Sequence, residues 1–254
     1  MLQVISALHG YAIEARDGRI GSVSDFLFDD QRWQLRWLVV DTGGWLSGRK
    51  VLIHPSAIGR ADHLRQELPV SLTKAEIEDS PDIRDDQPVS RQMESHLYSH
   101  YGWDPVWGGS YFGGSANAIA MPLSPAPLFG APTLVEAAGL DAAGDPHLQS
   151  VEEVTGYHIK AIDGEIGHIE NFLIDDTSWD IRYLIIDTRN WWPGEHVLLS
   201  PYAVQTISWA DRHLDIGATR EEVKSSPPWN PLDLIDEDYE KQLHSHYHWP
   251  GYGW

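Results

Sequence analysis

Pairs of histidines spaced by four residues are the side chains of this sequence best arranged for metal chemistry. His96 and His100 fall on one predicted helix, and His244 and His248 fall on another. A spacing of four places two imidazoles on one helix face, where both could ligate the same metal ion. An internal repeat of the chain matches only His100 with His246, so these two are the candidate metal ligands. Packing on the helix surface is the alternative role for all of these histidines.

Adjacent aspartates form a second group, with Asp29 next to Asp30 and Asp175 next to Asp176. Paired carboxylates can act as a general acid and base or hold a hard metal ion. Neighbouring residues in a turn point in different directions, however, and aspartate is a favoured turn residue. We therefore expect both pairs to build turns.

Other motifs that carry chemistry are missing from the sequence. It contains no cysteine, which excludes disulfides, thiol nucleophiles and thiolate metal ligands. No glycine-rich phosphate loop opens a helix, and neither a GxSxG nucleophile elbow nor an HExxH zinc motif occurs. The sequence predicts a protein that is not an enzyme and uses no cofactor.

Tryptophan is unusually frequent, with 12 residues, several of them in predicted loops. Trp45 and Leu46 fall in one glycine-rich loop, and Trp191 and Trp192 fall in the equivalent loop of the repeat. Exposed tryptophans anchor protein interfaces, which makes these four residues candidates for partner binding. The alternative is that the rings close the ends of small barrels.

The charge of the chain restricts its partners. The sequence has 18 basic and 38 acidic residues and a formal net charge of −20. This charge repels phosphate backbones and anionic membranes, and it favours a basic protein as the partner. The first residues lack the basic and apolar regions of a signal peptide, and no window is long enough to span a membrane. We expect a cytoplasmic protein that binds no nucleic acid and does not insert into membranes.

The elements that must position these residues occur twice. Residues 10–42 return as residues 156–188, and each matched residue lies 146 positions further on, as from Gly10 to Gly156. Within each copy, an Asp-Gly turn and runs of alternating apolar residues predict several short antiparallel strands. Thr73 with Glu76, and Thr219 with Glu222, have the spacing of a capping box and predict short helices after the strands. Ser90 and Asp236 are the predicted N-caps of a second helix in each copy.

This organisation predicts three segments. Residues 1–103 and 150–254 each contain a small antiparallel β-barrel followed by short α-helices. Residues 104–149, rich in glycine, alanine and proline, have the composition of a linker. The predicted fold class is mainly β, with two barrels in tandem.

The matched residues resemble the PRC-barrel family in the runs G-Y-x-I, D-G-x-I-G, D-F-L-F-D-D, W-x-x-R-W-L-V-V-D-T and V-L-I-H-P. The resemblance covers residues 4–68 and 150–214. This family is named for the cytoplasmic domain of the photosynthetic reaction centre H subunit, and it supplies the C-terminal domain of the ribosome maturation factor RimM. The resemblance implies a barrel used for protein contacts, with no catalytic residues to carry over. The helical tails look like those of stand-alone bacterial members.

Three functions are compatible with the sequence. The first is a non-catalytic adaptor in which the two barrels pack as an intrachain pseudo-dimer, giving either a monomer with pseudo-two-fold repeats or a homodimer. The second is a metal-binding or pH-sensing stress protein that uses the tail histidines. The third, which rests on the family name, is a regulator of photosynthetic electron transfer.

Overall fold

Two β-sheets form the framework of the protein. The computed structural model describes residues 1–80, 91–103, 145–188, 196–230 and 235–252. Strands make up most of the ordered elements, and the helices are few and short. The predicted mainly β fold class is therefore confirmed. No helix within these ranges is long and apolar enough to cross a membrane.

In the described residues, the first repeat supplies six strands and two α-helices. The strands are β1 (Leu2–Val4), β2 (Ala12–Ala15), β3 (Gly18–Asp29), β4 (Gln34–Asp41), β5 (Lys50–Ile53) and β6 (Glu67–Pro69). The helices are α1 (Lys74–Glu78) and α2 (Arg91–Tyr101). Strands β2 to β6 are ordered β5-β4-β3-β2-β6 in the sheet.

The described residues of the second repeat supply seven strands and three α-helices. The strands are β7 (Leu148–Ser150), β8 (His158–Ala161), β9 (Gly164–Asp175), β10 (Ile181–Asp187), β11 (His196–Leu199), β12 (Val204–Ser208) and β13 (His213–Ile216). The helices are α3 (Val151–Val154), α4 (Arg220–Lys224) and α5 (Glu237–Tyr247). Strands β8 to β13 are ordered β11-β10-β9-β8-β13-β12.

The strand pairing departs in two details from the predicted antiparallel barrels. One pair in each sheet is parallel, β2 with β6 and β8 with β13, whereas the others are antiparallel. The described strands also leave each sheet open instead of closing it into a complete barrel. The parallel pairs arise because the chain leaves β5 or β11 through a short 3-10 helix and then returns beside the first strand of the hairpin.

Local chemistry in the hairpins explains why the two copies fold alike. Asp17 lies in the tight turn that the sequence predicts. Its carboxylate also accepts a hydrogen bond from the first backbone N–H of α1 over 2.8 Å. Gly21 lies where β3 passes the end of β4, and a Cβ atom there would be 2.1 Å from the carbonyl oxygen of Asp41. Gly167 meets Asp187 in the same way at 2.0 Å. Only glycine permits this close approach.

The helix caps agree with the predicted capping chemistry. Thr73 and Glu76 form a complete capping box at α1, and Thr219 and Glu222 form the same box at α4. Asp236 caps α5, because its side chain accepts a hydrogen bond from the backbone of Tyr239 over 2.8 Å. The other predicted N-cap, Ser90, lies outside the described residues.

The first strand of each repeat completes the sheet of the other repeat. Strand β1 pairs with β9, with Leu2 opposite Asp175, and β7 pairs with β3, with Leu148 opposite Asp29. These registers are equivalent under the shift of 146 residues. Apolar side chains of both repeats also share one buried core, in which the rings of Phe28 and Phe172 lie 6.0 Å apart. The exchange and the shared core hold the two sheets together.

Candidate functional site

The β3–β4 and β9–β10 turns meet at the seam between the repeats. The backbone N–H of Leu35 donates to the carbonyl oxygen of Trp179 over 2.9 Å. Ile181 donates in the same way to Trp33 over 2.7 Å. The seam therefore has an approximate two-fold arrangement, because the two hydrogen bonds join equivalent residues in opposite directions.

Asx turns bring the chain into this seam. One carboxylate oxygen of Asp29 accepts hydrogen bonds from the backbone of Gln31 and Arg32, both over 3.0 Å. Asp175 makes the equivalent pair of hydrogen bonds in the second repeat. The expectation that the paired aspartates build turns agrees with these contacts.

Each turn ends on a tryptophan in a strained backbone conformation. Trp33 has a φ of 55° and Trp179 a φ of 61°, in the left-handed region that bulky residues rarely adopt. Both side chains are buried. Strained backbone is concentrated at binding and catalytic sites, so its duplication here points to the seam as a candidate functional site.

The second aspartate of each pair is held by the strand that the other repeat contributes. Asp30 accepts a hydrogen bond from Nδ1 of His147 over 2.9 Å, and partial burial raises the pKa of Asp30, although this hydrogen bond acts in the opposite direction. At the equivalent position, Asp176 accepts a hydrogen bond from the α-amino group of Met1 over 2.5 Å. These carboxylates therefore stabilise the exchanged strands.

Two related clefts open on either side of the seam. Cleft A has a volume of about 790 Å³ and lies between residues 34–35, residues within 54–60, and residues 176–179. Cleft B has a volume of about 680 Å³ and lies between residues 30–33, residues 180–181, and residues within 201–207. The walls of the two clefts are equivalent under the repeat, so gene duplication has produced two versions of one concave site.

The chemistry of the clefts has diverged. Ser56 lines cleft A at the position where the half-exposed ring of Tyr202 lines cleft B. Arg60 in cleft A is replaced by Thr206 in cleft B. Cleft B also gains the ring of Tyr252. Cleft B is therefore the more aromatic of the two.

His54 lies at the inner end of cleft A, inside an aromatic cluster. Its ring contacts Trp37, Tyr98 and Trp103, with centroids 5.4 to 5.6 Å away. Burial, with a smaller contribution from the Arg36 guanidinium, lowers the pKa of His54 to about 4. The backbone N–H of Ser56 donates to Nδ1 of the ring over 3.2 Å. Only a neutral imidazole has a ring nitrogen that can accept this hydrogen bond.

A buried ionic network lies behind this cluster. The guanidinium of Arg36 donates to Glu94 over 2.6 Å and to Asp145 over 2.8 Å, and all three side chains are almost fully buried. The indole N–H of Trp37 donates to the other oxygen of Glu94 over 2.7 Å. The network joins β4, α2 and the segment before β7, so its main effect is to fix the helical tail against the first sheet.

The second repeat keeps this network and changes its members. Arg182 donates to Glu240 over 2.8 Å, and its guanidinium stacks on the ring of Tyr252 at 3.7 Å. The hydroxyl of Tyr183 lies 2.9 Å from Glu240 and 2.9 Å from Nε2 of His244. Burial raises the pKa of Tyr183 far above its usual value and lowers the pKa of His244.

The candidate metal ligands occupy equivalent places on the two tails. Nε2 of His100 hydrogen-bonds to the carbonyl oxygen of Glu76 over 2.8 Å, and Nε2 of His246 bonds to that of Glu222 over 2.9 Å. Both histidines thus connect the last helix of a repeat to the preceding short helix. Within the described ranges, no three metal-ligating side chains come together.

Two of the candidate partner-binding residues, Trp45 and Leu46, lie in the loop between β4 and β5. Trp45 and Leu46 are half-buried and pack against the shared core, and the Nζ atom of Lys74 lies 5.8 Å from the Trp45 ring centroid. Trp191 and Trp192 lie outside the described residues. The sequence did not predict the clefts. In the structure, one member of each matched pair, Trp33/Trp179 and Pro55/Pro201, lines each cleft.

Comparison with known proteins identifies the domain. Residues 5–63 match the model of the PRC-barrel domain. This part of the chain therefore matches the PRC-barrel domain, as the sequence predicted. An uncharacterized protein of Deinococcus radiodurans is 37% identical over 75 residues, which is 30% of this chain. The matched part spans 27% of that relative's own length.

Proposed function

We propose that this protein is a non-catalytic binding or adaptor protein whose two PRC-barrel repeats pack as an intrachain pseudo-dimer. The observation that supports the proposal best is the pair of equivalent clefts beside the seam. A two-fold arrangement within one chain duplicates a binding surface without requiring a second subunit. The adaptor would hold two related partner segments, one in each cleft.

The ionisable groups in the clefts support binding over catalysis. His54 is neutral and accepts a hydrogen bond from its own turn. Asp30 and Asp176 each hold an exchanged strand. A general acid or base must instead be free to reach the proton that it transfers.

The charge of the chain defines the class of partner. With a net charge of −20, the protein attracts basic surfaces over long distances at low ionic strength. We therefore propose a basic protein as the partner. We also propose a cytoplasmic location for the protein. For the domain organisation, we propose two repeats, residues 1–103 and 150–254, joined by residues 104–149. The half-buried Trp45 and Leu46, with Trp191 and Trp192, would form a second contact region.

Affinity capture from a lysate of the source organism tests this function. The baits are the native chain, a Ser56→Lys/Tyr202→Lys double variant, and an Ile162→Lys control. Ile162 is exposed at the β8–β9 turn and lines neither cleft. We expect a basic protein that is retained at low salt, released at high salt, lost with the double variant and kept by the control. Equal capture by both variants, or no specific capture by the native chain, would contradict the proposal.

Two alternatives remain predictions. A metal-binding or pH-sensing stress protein would use His100 and His246, and metal analysis of protein purified without a histidine tag, with His100→Ala and His246→Ala variants, tests it. A regulator of photosynthetic electron transfer would require reaction-centre genes in the source organism.

A further inference from the structure

Strand β12 forms the open edge of the second sheet. Within the described ranges it pairs with one strand, β13, on one side only. Its residues Val204 to Ile207 line cleft B, and Gln205 and Thr206 are exposed. Within the described ranges, the backbone groups that point away from β13 have no strand partner, and they belong to residues that line cleft B, so an extended chain could pair with them there.

In the described part of the first repeat, the segment equivalent to β12 forms no named strand, and the sequence explains why. Pro69 of β6 has no backbone N–H, and the segment beside it makes only isolated bridges, from Ile58 to Val70 and from Asp62 to Glu67. Asp215 replaces Pro69 in the second repeat. It pairs opposite Thr206, and its side chain accepts a hydrogen bond from the Thr206 hydroxyl over 2.6 Å. The open edge is therefore a specific feature of cleft B.

The composition of β12 leaves this edge suitable for pairing. Exposed edges are usually protected by lysine, proline, inward-pointing charges or β-bulges, and the strand Val204–Ser208 contains none of the first three. It has one irregularity of register, between Val204 and Thr206, so the regular part of the edge is Thr206 to Ser208. A short strand of this kind pairs with a few residues of a partner.

We propose that β12 binds an extended, basic segment of the partner protein by strand addition in cleft B. This inference rests on the proposed function of the clefts and specifies the form of the ligand. Asp30, one of whose carboxylate oxygens accepts a hydrogen bond from His147, and Asp180 line the cleft against one arginine, Arg32, in the lining. This excess of carboxylates complements lysine or arginine side chains on the bound segment.

A peptide titration tests the proposal on the full chain. The probe is a blocked octapeptide in which lysine alternates with valine, and the control peptide carries N-methyl groups on alternate residues, which removes their backbone donors. We expect the probe to slow amide hydrogen exchange in β12 by about tenfold at saturation, and we expect the control peptide to leave it unchanged. A Gln205→Lys variant should bind the probe at least about fivefold more weakly, because it adds a positive charge at the edge. An Ile162→Lys variant should bind it like the native chain.

Three outcomes would overturn strand addition: equal binding of the two peptides, protection that maps outside β12, or no protection at about 1 mM probe. Capture of a partner by the clefts, followed by any of these, would reject strand addition while leaving the proposed function in place. Failure of the Ser56→Lys/Tyr202→Lys variant to reduce capture would instead reject the function of the clefts themselves.

Discussion

Ile181 donates its backbone N–H to the carbonyl oxygen of Trp33 over 2.7 Å. This hydrogen bond joins the two repeats across the seam, where the equivalent β3–β4 and β9–β10 turns end. The acceptor residue has a left-handed backbone, and its side chain lines cleft B. The same contact therefore links the packing of the two repeats to the shape of the proposed binding site. Changes that loosen the seam should affect both repeats and both clefts.

The exchanged strands predict an effect of mutation on the opposite repeat. Asp176 donates its N–H to the carbonyl of Met1, so the alternation of antiparallel pairs makes Gln3 and Ile174 a hydrogen-bonded pair. A Gln3→Pro substitution removes the N–H that donates to the Ile174 carbonyl and disrupts the strand whose Gln3 carbonyl accepts from the Ile174 amide, so exchange of that amide in β9 should accelerate. The equivalent amide of Phe28 in β3 should be unchanged.

The matched control for this experiment is Gln149→Pro, which should accelerate exchange of Phe28 and spare Ile174, because β7 pairs with β3. Hydrogen exchange measured by NMR separates the two sites. Faster exchange confined to the repeat that carries the mutation would contradict the strand exchange.

The close approach of β3 and β4 predicts that Gly21 is required. An alanine Cβ at this position would be 2.1 Å from the carbonyl oxygen of Asp41, so the backbone must move. We expect Gly21→Ala to lower the free energy of unfolding by about 3 kcal/mol or more in denaturant titration. Gly44→Ala is the control, since a Cβ there meets no atom within 4 Å. A loss below about 1 kcal/mol for Gly21→Ala would be inconsistent with this geometry.

The neutral His54 predicts a loss of stability at acid pH. In the unfolded chain a histidine titrates near its ordinary pKa, whereas the pKa of His54 in the fold is lowered to about 4. Between these values only the unfolded state takes up the proton, so folding stability falls as the pH is lowered through this window. The contribution is at most about 3 kcal/mol.

A His54→Ser variant isolates this effect, because Ser200 is the equivalent residue of the second repeat. Its free energy of unfolding should depend less on pH between about 6.5 and 4 than that of the native chain. Equal pH dependence of the two proteins would show that the imidazole is not held neutral.

The two ionic networks predict different sensitivities to the same substitution. Arg36 and Glu94 have 3% and 0% of their side chains exposed, so Arg36→Met leaves a buried carboxylate without its cation and should cost about 3 to 5 kcal/mol. Arg182 and Glu240 are 14% and 12% exposed, and Arg182→Met should cost less because water reaches that carboxylate. Thermal and denaturant unfolding measure both. A larger loss for Arg182→Met would contradict the assignment.

Local signals in the sequence predicted much of the fold. The turn at Asp17 and the capping boxes depend on neighbouring residues, and the structure contains all of them. The repeat showed that each feature would occur twice. The resemblance to the PRC-barrel family followed from the same residues, and the match of residues 5–63 to the PRC-barrel domain confirms it there.

The features that define the candidate site depend on residues far apart in the chain. Leu2–Val4 is too short to indicate which sheet it joins, and its pairing with β9 follows from packing of the whole molecule. His54 ends a strand beside a proline, but its lowered pKa depends on burial among Tyr98 and Trp103. The clefts form only when residues 30–33 and 176–179 meet the opposite repeat.

Photo-cross-linking from the two clefts is the most direct test of the proposed function. A benzophenone amino acid is placed at Ser56 in cleft A, at Tyr202 in cleft B, or at Ile162 as a control outside both, and the protein is irradiated in cells of the source organism. We expect one basic partner to be cross-linked from both cleft positions and to be absent from the control. Cross-linking of no partner from either cleft, or of the same proteins from all three positions, would contradict it.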